Sequence, residues 1–92
     1  MSTKTIEYKI KNKLGLHARP AATFVHFVKK FESEIRIEKD GETIDGKSVI
    51  GLLILAAGFG STIRITVSGE DSETAANAIN DLINNSAKFN EE

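Results

Sequence analysis

The segment Gly15-Leu16-His17-Ala18-Arg19-Pro20-Ala21-Ala22 sets an imidazole close to a guanidinium, just ahead of the only proline in the chain. Proline is tolerated in a first helical turn, where backbone N–H groups have no intrahelical acceptor. It also biases Arg19 away from helical dihedrals, which predicts a helix boundary near His17. The apolar residues that follow (Ala21, Ala22, Phe24, Val25, Val28 and Phe31) have helical spacing, so the helix is expected to run to about Phe31. A group carried on His17 would then face N–H donors and the positive end of a helix dipole, about half an elementary charge. That is a setting for an anion. Neutral imidazole is a nucleophile near neutral pH and can take a phosphoryl group as a covalent intermediate. The product carries close to two negative charges, which the N–H groups of Ala18 and Arg19 and the Arg19 guanidinium are placed to stabilise. The plainer reading is that His17 only caps the helix, and spacing alone leaves both open.

A second candidate is Ser48, at the start of the run Ser48-Val49-Ile50-Gly51-Leu52-Leu53-Ile54-Leu55. Its hydroxyl suits an N-cap, worth about 1 kcal/mol. A phosphate there would put roughly two negative charges at a helix start, beside an apolar surface, and could block a partner without unfolding the domain. A short helix that is apolar all round must be buried all round or meet a partner. In a domain this small, some of Val49, Ile50, Leu53 and Ile54 are therefore expected to form an exposed docking patch, with Leu52 and Leu55 pointing inward.

The elements that must position these residues are legible in outline. Ile6, Tyr8 and Ile10 alternate with polar residues as in a half-buried strand. After the His17 helix, Ile35 and Ile37 alternate again. Asp40-Gly41 signals a hairpin, with Thr43-Ile44 on the return strand. Gly58-Phe59-Gly60 breaks the apolar segment, and Ile63, Ile65 and Val67 form a fourth strand. Asp71 or Ser72 can cap a last helix with Ala75, Ile79, Leu82 and Ile83 on its apolar face. The order is β-α-β-β-α-β-α, and one-faced alternation predicts an α+β fold, a mostly antiparallel sheet with helices on one side. Asn90-Glu91-Glu92 are expected to fray.

Composition narrows the class. The 92 residues are read as one domain, 1–92, burying roughly 60–65% of its unfolded surface. Twelve Lys+Arg against thirteen Asp+Glu give no electrostatic case for nucleic acid. The absence of cysteine excludes disulfides and thiol chemistry. The first residues lack the apolar core of a secretory signal, and no apolar run reaches the roughly 20 residues of a membrane span. A cytoplasmic protein without membrane insertion is expected.

Gly41-Glu42-Thr43-Ile44-Asp45-Gly46-Lys47-Ser48 matches the phosphate-loop pattern G-x-x-x-x-G-K-S. Against a nucleotide site stand the hairpin role of Asp40-Gly41, the acidic Glu42 and Asp45, and too few later strands for a parallel sheet. No metal site is expected either, because His17 and His26 would point to opposite sides of one helix. A prosthetic group on Ser48 has no support beyond the serine. His26 reads as a surface residue, at an edge shared with Thr23, Lys29 and Lys30.

These motifs carry a resemblance. Gly15 to Ala21 matches the active-site motif of HPr, the histidine-containing phosphocarrier family of the bacterial phosphoenolpyruvate-dependent sugar phosphotransferase system. Lys47-Ser48-Val49-Ile50-Gly51 resembles that family's regulatory serine site, and Gly60-Ser61-Thr62 and Ser68-Gly69 resemble its segments around the last strand. The resemblance runs nearly end to end and implies an open-faced β-sandwich, a four-stranded antiparallel sheet with three helices on one face. It implies a carrier rather than an enzyme in the strict sense, with no cofactor, acting as a monomer. His17 would take a phosphoryl group, on Nδ1 in this family, from enzyme I and pass it to EIIA domains. Arg19 would stabilise the phosphate and Pro20 would shape the loop. Ser48 would be the substrate of HPr kinase/phosphorylase, and its modification can recruit a catabolite-control transcriptional regulator. Val49, Ile50 and Leu53 would form the contact patch, and the partner surface is expected to take in Lys47 and the edge with Thr23, His26 and Lys29 as well. The chain departs from many relatives at Ala56 and Phe59, and its Leu53 and Ile54 make the second helix unusually apolar, which bears on partner choice. A mainly regulatory module controlled through Ser48, in an organism with an incomplete phosphotransferase system, is the alternative.

Overall fold

The computed structural model describes residues 2–55, 58–85 and 89. Its elements follow the expected order: β1 (Ser2–Lys9), α1 (Ala18–Val28), β2 (Glu34–Lys39), β3 (Glu42–Asp45), α2 (Val49–Leu55), β4 (Thr62–Gly69) and α3 (Ser72–Asn85). The four strands form one antiparallel sheet in the order β1-β4-β2-β3. Asp40 (φ 52°) and Gly41 (φ 85°) both take the left-handed conformation that a two-residue hairpin turn needs.

Register explains why the sheet is covered on one side. Ile6, Ile65, Ile37 and Ile44 pair in succession, an apolar row across all four strands. One residue along, Glu7, Arg64, Glu38 and Thr43 make the corresponding row on the opposite face. There Arg64 meets Glu7 at 3.3 Å and Glu38 at 3.7 Å, exposed pairs of little energetic weight. The inner face packs Tyr8, Ile35, Ile37, Ile63, Ile65 and Val67 against Phe24, Val25 and Val28 of α1, Leu52 and Leu55 of α2, and Ala75, Ile79 and Ile83 of α3. Burying each large side chain stabilises the fold by about 1.5–3 kcal/mol. Burial also raises the Tyr8 phenol above its ordinary pKa.

Two expectations about α1 are corrected. Arg19 is helical although a proline follows it, and the helix starts at Ala18 with His17 as its N-cap. Pro20 sits in the first turn, where its fixed φ suits the helix, and its burial in the core holds it there. At the other end, α1 stops at Val28 instead of about Phe31. A further turn would need the amides of Glu32 and Ser33, and both donate instead to the Asp71 carboxylate at 2.9 Å. The Phe31 amide closes a tighter turn onto the Val28 carbonyl at 3.1 Å. The Phe31 carbonyl accepts from Lys47 Nζ at 2.7 Å. The Ser33 hydroxyl also donates to Asp71, and this bond, followed by the Glu32 amide, holds the carboxyl below its ordinary pKa. Asp71 does cap α3, but through its carbonyl, which accepts from the Ala75 amide at 2.8 Å.

Candidate functional site

The loop between β1 and α1 is fastened at several points. Ile10 donates to the Ser61 carbonyl (2.8 Å) and accepts from the Gly60 amide (3.0 Å), prolonging the β1–β4 pairing. The Gly15 amide returns to the Asn12 carbonyl at 2.9 Å, and Leu16 is buried. Asn12 is itself buried, and its Nδ2 donates to the Phe89 carbonyl at 2.7 Å. The Phe89 ring lies 6.0 Å from that of Tyr8 and 6.3 Å from that of Phe24, so the loop is tied to β1 and α1 through one aromatic cluster.

His17 emerges from this loop in an extended conformation (φ −79°, ψ −168°), and its carbonyl accepts from the Ala21 amide at 3.1 Å. The backbone caps α1, but the side chain makes no capping bond. The imidazole is half-buried, with Nε2 occluded and without a hydrogen-bond partner. Ala18 and Arg19 are exposed in the first turn, and Pro20 is buried beneath them. A helix start whose polar side chain is not spent on capping, with an exposed arginine in its first turn, can hold an anion on the ring nitrogen that is not walled off.

Ser48 occupies the N-cap of α2. Its Oγ accepts from the Gly51 amide at 2.9 Å and its carbonyl from the Leu52 amide at 3.1 Å. Lys47 is held by its amide on Asp45 Oδ1 (2.9 Å) and by Nζ on Phe31. The lysine that a nucleotide loop would aim at phosphates is thus committed to a backbone carbonyl, and the strand before it is antiparallel. Through Lys47, the Ser48 site is tied to the turn that follows α1, whereas His17 stands at the N-terminal end of that helix.

The apolar run of α2 divides as its length requires. Leu52 and Leu55 are buried, Ile50 (69%), Leu53 (42%) and Ile54 (71%) are exposed, and Val49 is half-buried against the core. Leu14 and Phe59 add two further exposed apolar side chains, of which sequence reasoning singled out only Phe59. On α1, His26 is exposed and Thr23 is half-buried, and Lys29, the C-cap residue, is exposed. Lys30 lies over the Phe27 ring, 4.1 Å from its centroid. α1 and α2 pack against each other. Ala56 lies outside the described residues, as do Asn90, Glu91 and Glu92. No helix among the described residues is long and apolar enough to cross a membrane.

Asn12 and Phe89 were missed by sequence reasoning. Phe89 carries one signal, an aromatic beyond the last apolar repeat of α3, whereas nothing local marks Asn12.

Known proteins match this arrangement closely. The family model for the PTS HPr component phosphorylation site matches residues 4–85. Phosphocarrier protein HPr of Xylella fastidiosa is 41% identical over 86 residues, covering 94% of each chain. HPr-like protein Crh of Halalkalibacterium halodurans is 48% identical over 79 residues, 86% of this chain and 92% of that one. The crystal structure of HPr-C-His from Thermoanaerobacter tengcongensis matches with a TM-score of 0.86 at 44% identity, covering 97% of this chain and 98% of that one. HPr of that organism has also been solved as a dimer. Motif, connectivity and fold agree over nearly the whole length, and the chain belongs to the HPr phosphocarrier family.

Proposed function

We propose that this chain carries a phosphoryl group on His17, received from phosphorylated enzyme I and delivered to EIIA domains in the cytoplasm. The observation that supports it best is the state of the imidazole: it heads α1, makes no capping bond, and has Nε2 occluded. Nδ1 is then the nitrogen open to attack. Its lone pair bonds to phosphorus while the bond from phosphorus to the donor breaks, that electron pair leaving with the donor. Arg19 and the Ala18 amide meet the charge of the transferred group, and Pro20 keeps the helix start in place. The chain acts as a monomer in this reading. Ser48 is the regulatory site for HPr kinase/phosphorylase, and a phosphate there interferes with docking at Ile50 and Leu53, beside Val49, Lys47, Thr23, His26 and Lys29.

The test is intact-mass analysis after incubation with enzyme I and phosphoenolpyruvate, comparing wild type with His17→Ala. One acid-labile phosphoryl group on the wild type and none on the variant is the expected result. An unmodified wild type with a competent enzyme I overturns the carrier role. The similarity to Crh, whose Bacillus subtilis form is described as a catabolite repression HPr, favours a second reading, in which the chain is chiefly a regulatory module that meets a catabolite-control transcriptional regulator through phosphorylated Ser48. That reading predicts labelling of Ser48 by the kinase, and regulator binding that survives His17→Ala.

A further inference from the structure

Among the described residues, two buried side-chain polar atoms lack a hydrogen-bond partner: Asn12 Oδ1 and His17 Nε2. Leaving such an atom unsatisfied is costly, and native folds keep few of them. Here both belong to one short loop, which turns where the Gly15 amide meets the Asn12 carbonyl. The identity of the orphaned Asn12 atom is not arbitrary. The bond to the Phe89 carbonyl needs a donor, so it identifies Nδ2 and leaves Oδ1 as an acceptor. Asn12 is only 1% exposed, so water competes poorly for that oxygen.

An acceptor within reach of an imidazole nitrogen discriminates between the two neutral tautomers. A proton on Nε2 complements Oδ1, whereas a lone pair there would oppose a second lone pair in a region of low dielectric. Resting on the reading of His17 as phosphoryl acceptor, we propose that Asn12 is a positioning residue. Its Oδ1 favours the tautomer that carries its proton on Nε2 and leaves the Nδ1 lone pair available, and it becomes the acceptor of that proton when Nδ1 attacks phosphorus. The two atoms do not bond in the resting structure. The bond closes when attack by Nδ1 turns the ring cationic, since a charged donor makes a shorter and stronger hydrogen bond. The Phe89 carbonyl has a part in this, because holding Nδ2 is what turns Oδ1 away from Phe89.

The experiment uses the full chain with ¹⁵N-labelled histidine. Ring-nitrogen NMR is recorded before and after phosphorylation by phosphoramidate, for wild type, Asn12→Leu and Asn12→Asp. The neutral form of the wild-type ring is expected to carry its proton on Nε2, and the phosphorylated ring to show a slowly exchanging Nε2 proton. Asn12→Leu should exchange that proton faster and accept phosphate about 5-fold more slowly, the equivalent of one hydrogen bond. Asn12→Asp loses the same Nδ2 bond to Phe89 but keeps an acceptor oxygen, so it should keep the Nε2 signature. A purely structural role predicts that the two variants behave alike, and that result would overturn the proposal. So would a wild-type ring protonated on Nδ1, a reading that needs no variant to fold. Failure of His17 to take phosphate, with the tautomer as expected, would count against the carrier reading alone.

Discussion

Arg19 stands in the first turn of α1, two residues past His17 and exposed to solvent. A guanidinium on a phosphoryl oxygen is a charge-assisted contact, worth about 1.5–3 kcal/mol. Arg19→Ala is therefore expected to slow phosphoryl acceptance about 10-fold, read by rapid quench with phosphorylated enzyme I, while the phosphohistidine still forms. Arg19→Lys should recover only part of the loss, because an ammonium lacks the planar fork. Wild-type rates in Arg19→Ala would remove the guanidinium from the transfer step. His17, Arg19 and Ser48 could all be picked out from the sequence because what singles them out is local: a proline, a helix start, an apolar run after a serine. Asn12 could not. Its burial depends on Phe89, 77 residues away along the chain, and no local pattern records such a contact.

A seven-residue helix in which every residue but Gly51 is apolar has no periodicity from which to read its inner face. That is why α2 could be placed from sequence while its exposed set remained open to more than one choice. The fold decides by geometry: Leu52 and Leu55 reach the core, and Ile54 does not. Ile54→Asp should thus leave stability within about 0.5 kcal/mol of wild type. Leu52→Ala should cost about 2–5 kcal/mol, checked by urea unfolding of both. If the patch docks enzyme I, Ile54→Asp will also weaken that affinity at unchanged stability. A folded Ile54→Asp variant that binds enzyme I as wild type does would take Ile54 out of the docking surface. The end of α1 was misplaced for the opposite reason. Its local pattern continues to Phe31, but tertiary acceptors and donors on Asp71 and Lys47 claim the backbone groups that another turn would use.

At the scale of the whole molecule, antiparallel pairing and one-sided helices follow from alternation, but the strand order β1-β4-β2-β3 joins segments that no local signal pairs. The loop ahead of α3 shows how such distant segments are locked. Gly69 has φ 150°, and a Cβ there would lie 2.8 Å from Ser33 Cα, so glycine lets β4 end against the start of β2. Asp71 then takes the Glu32 and Ser33 amides and the Ser33 hydroxyl on one carboxylate. These bonds favour the ionised form and hold its pKa below the ordinary carboxylate value. Between the folded and unfolded pKa values the unfolded chain binds more protons, so the Asp71 contribution is complete above the ordinary value and is lost as pH falls through the folded one. Asp71→Asn cannot accept all three donors without turning its own NH₂ towards an N–H, so it should be less stable than wild type at neutral pH. That difference should stay constant down to about pH 5 and narrow in more acid solution, measured by urea unfolding between pH 7 and pH 3. Ser33→Ala removes the contact that contributes most to the shift, and should lose part of the same acid dependence while keeping both amide bonds. A gap between Asp71→Asn and wild type that ignores pH would mean that the carboxylate charge does not hold β2 to the start of α3, and that shape alone closes this junction.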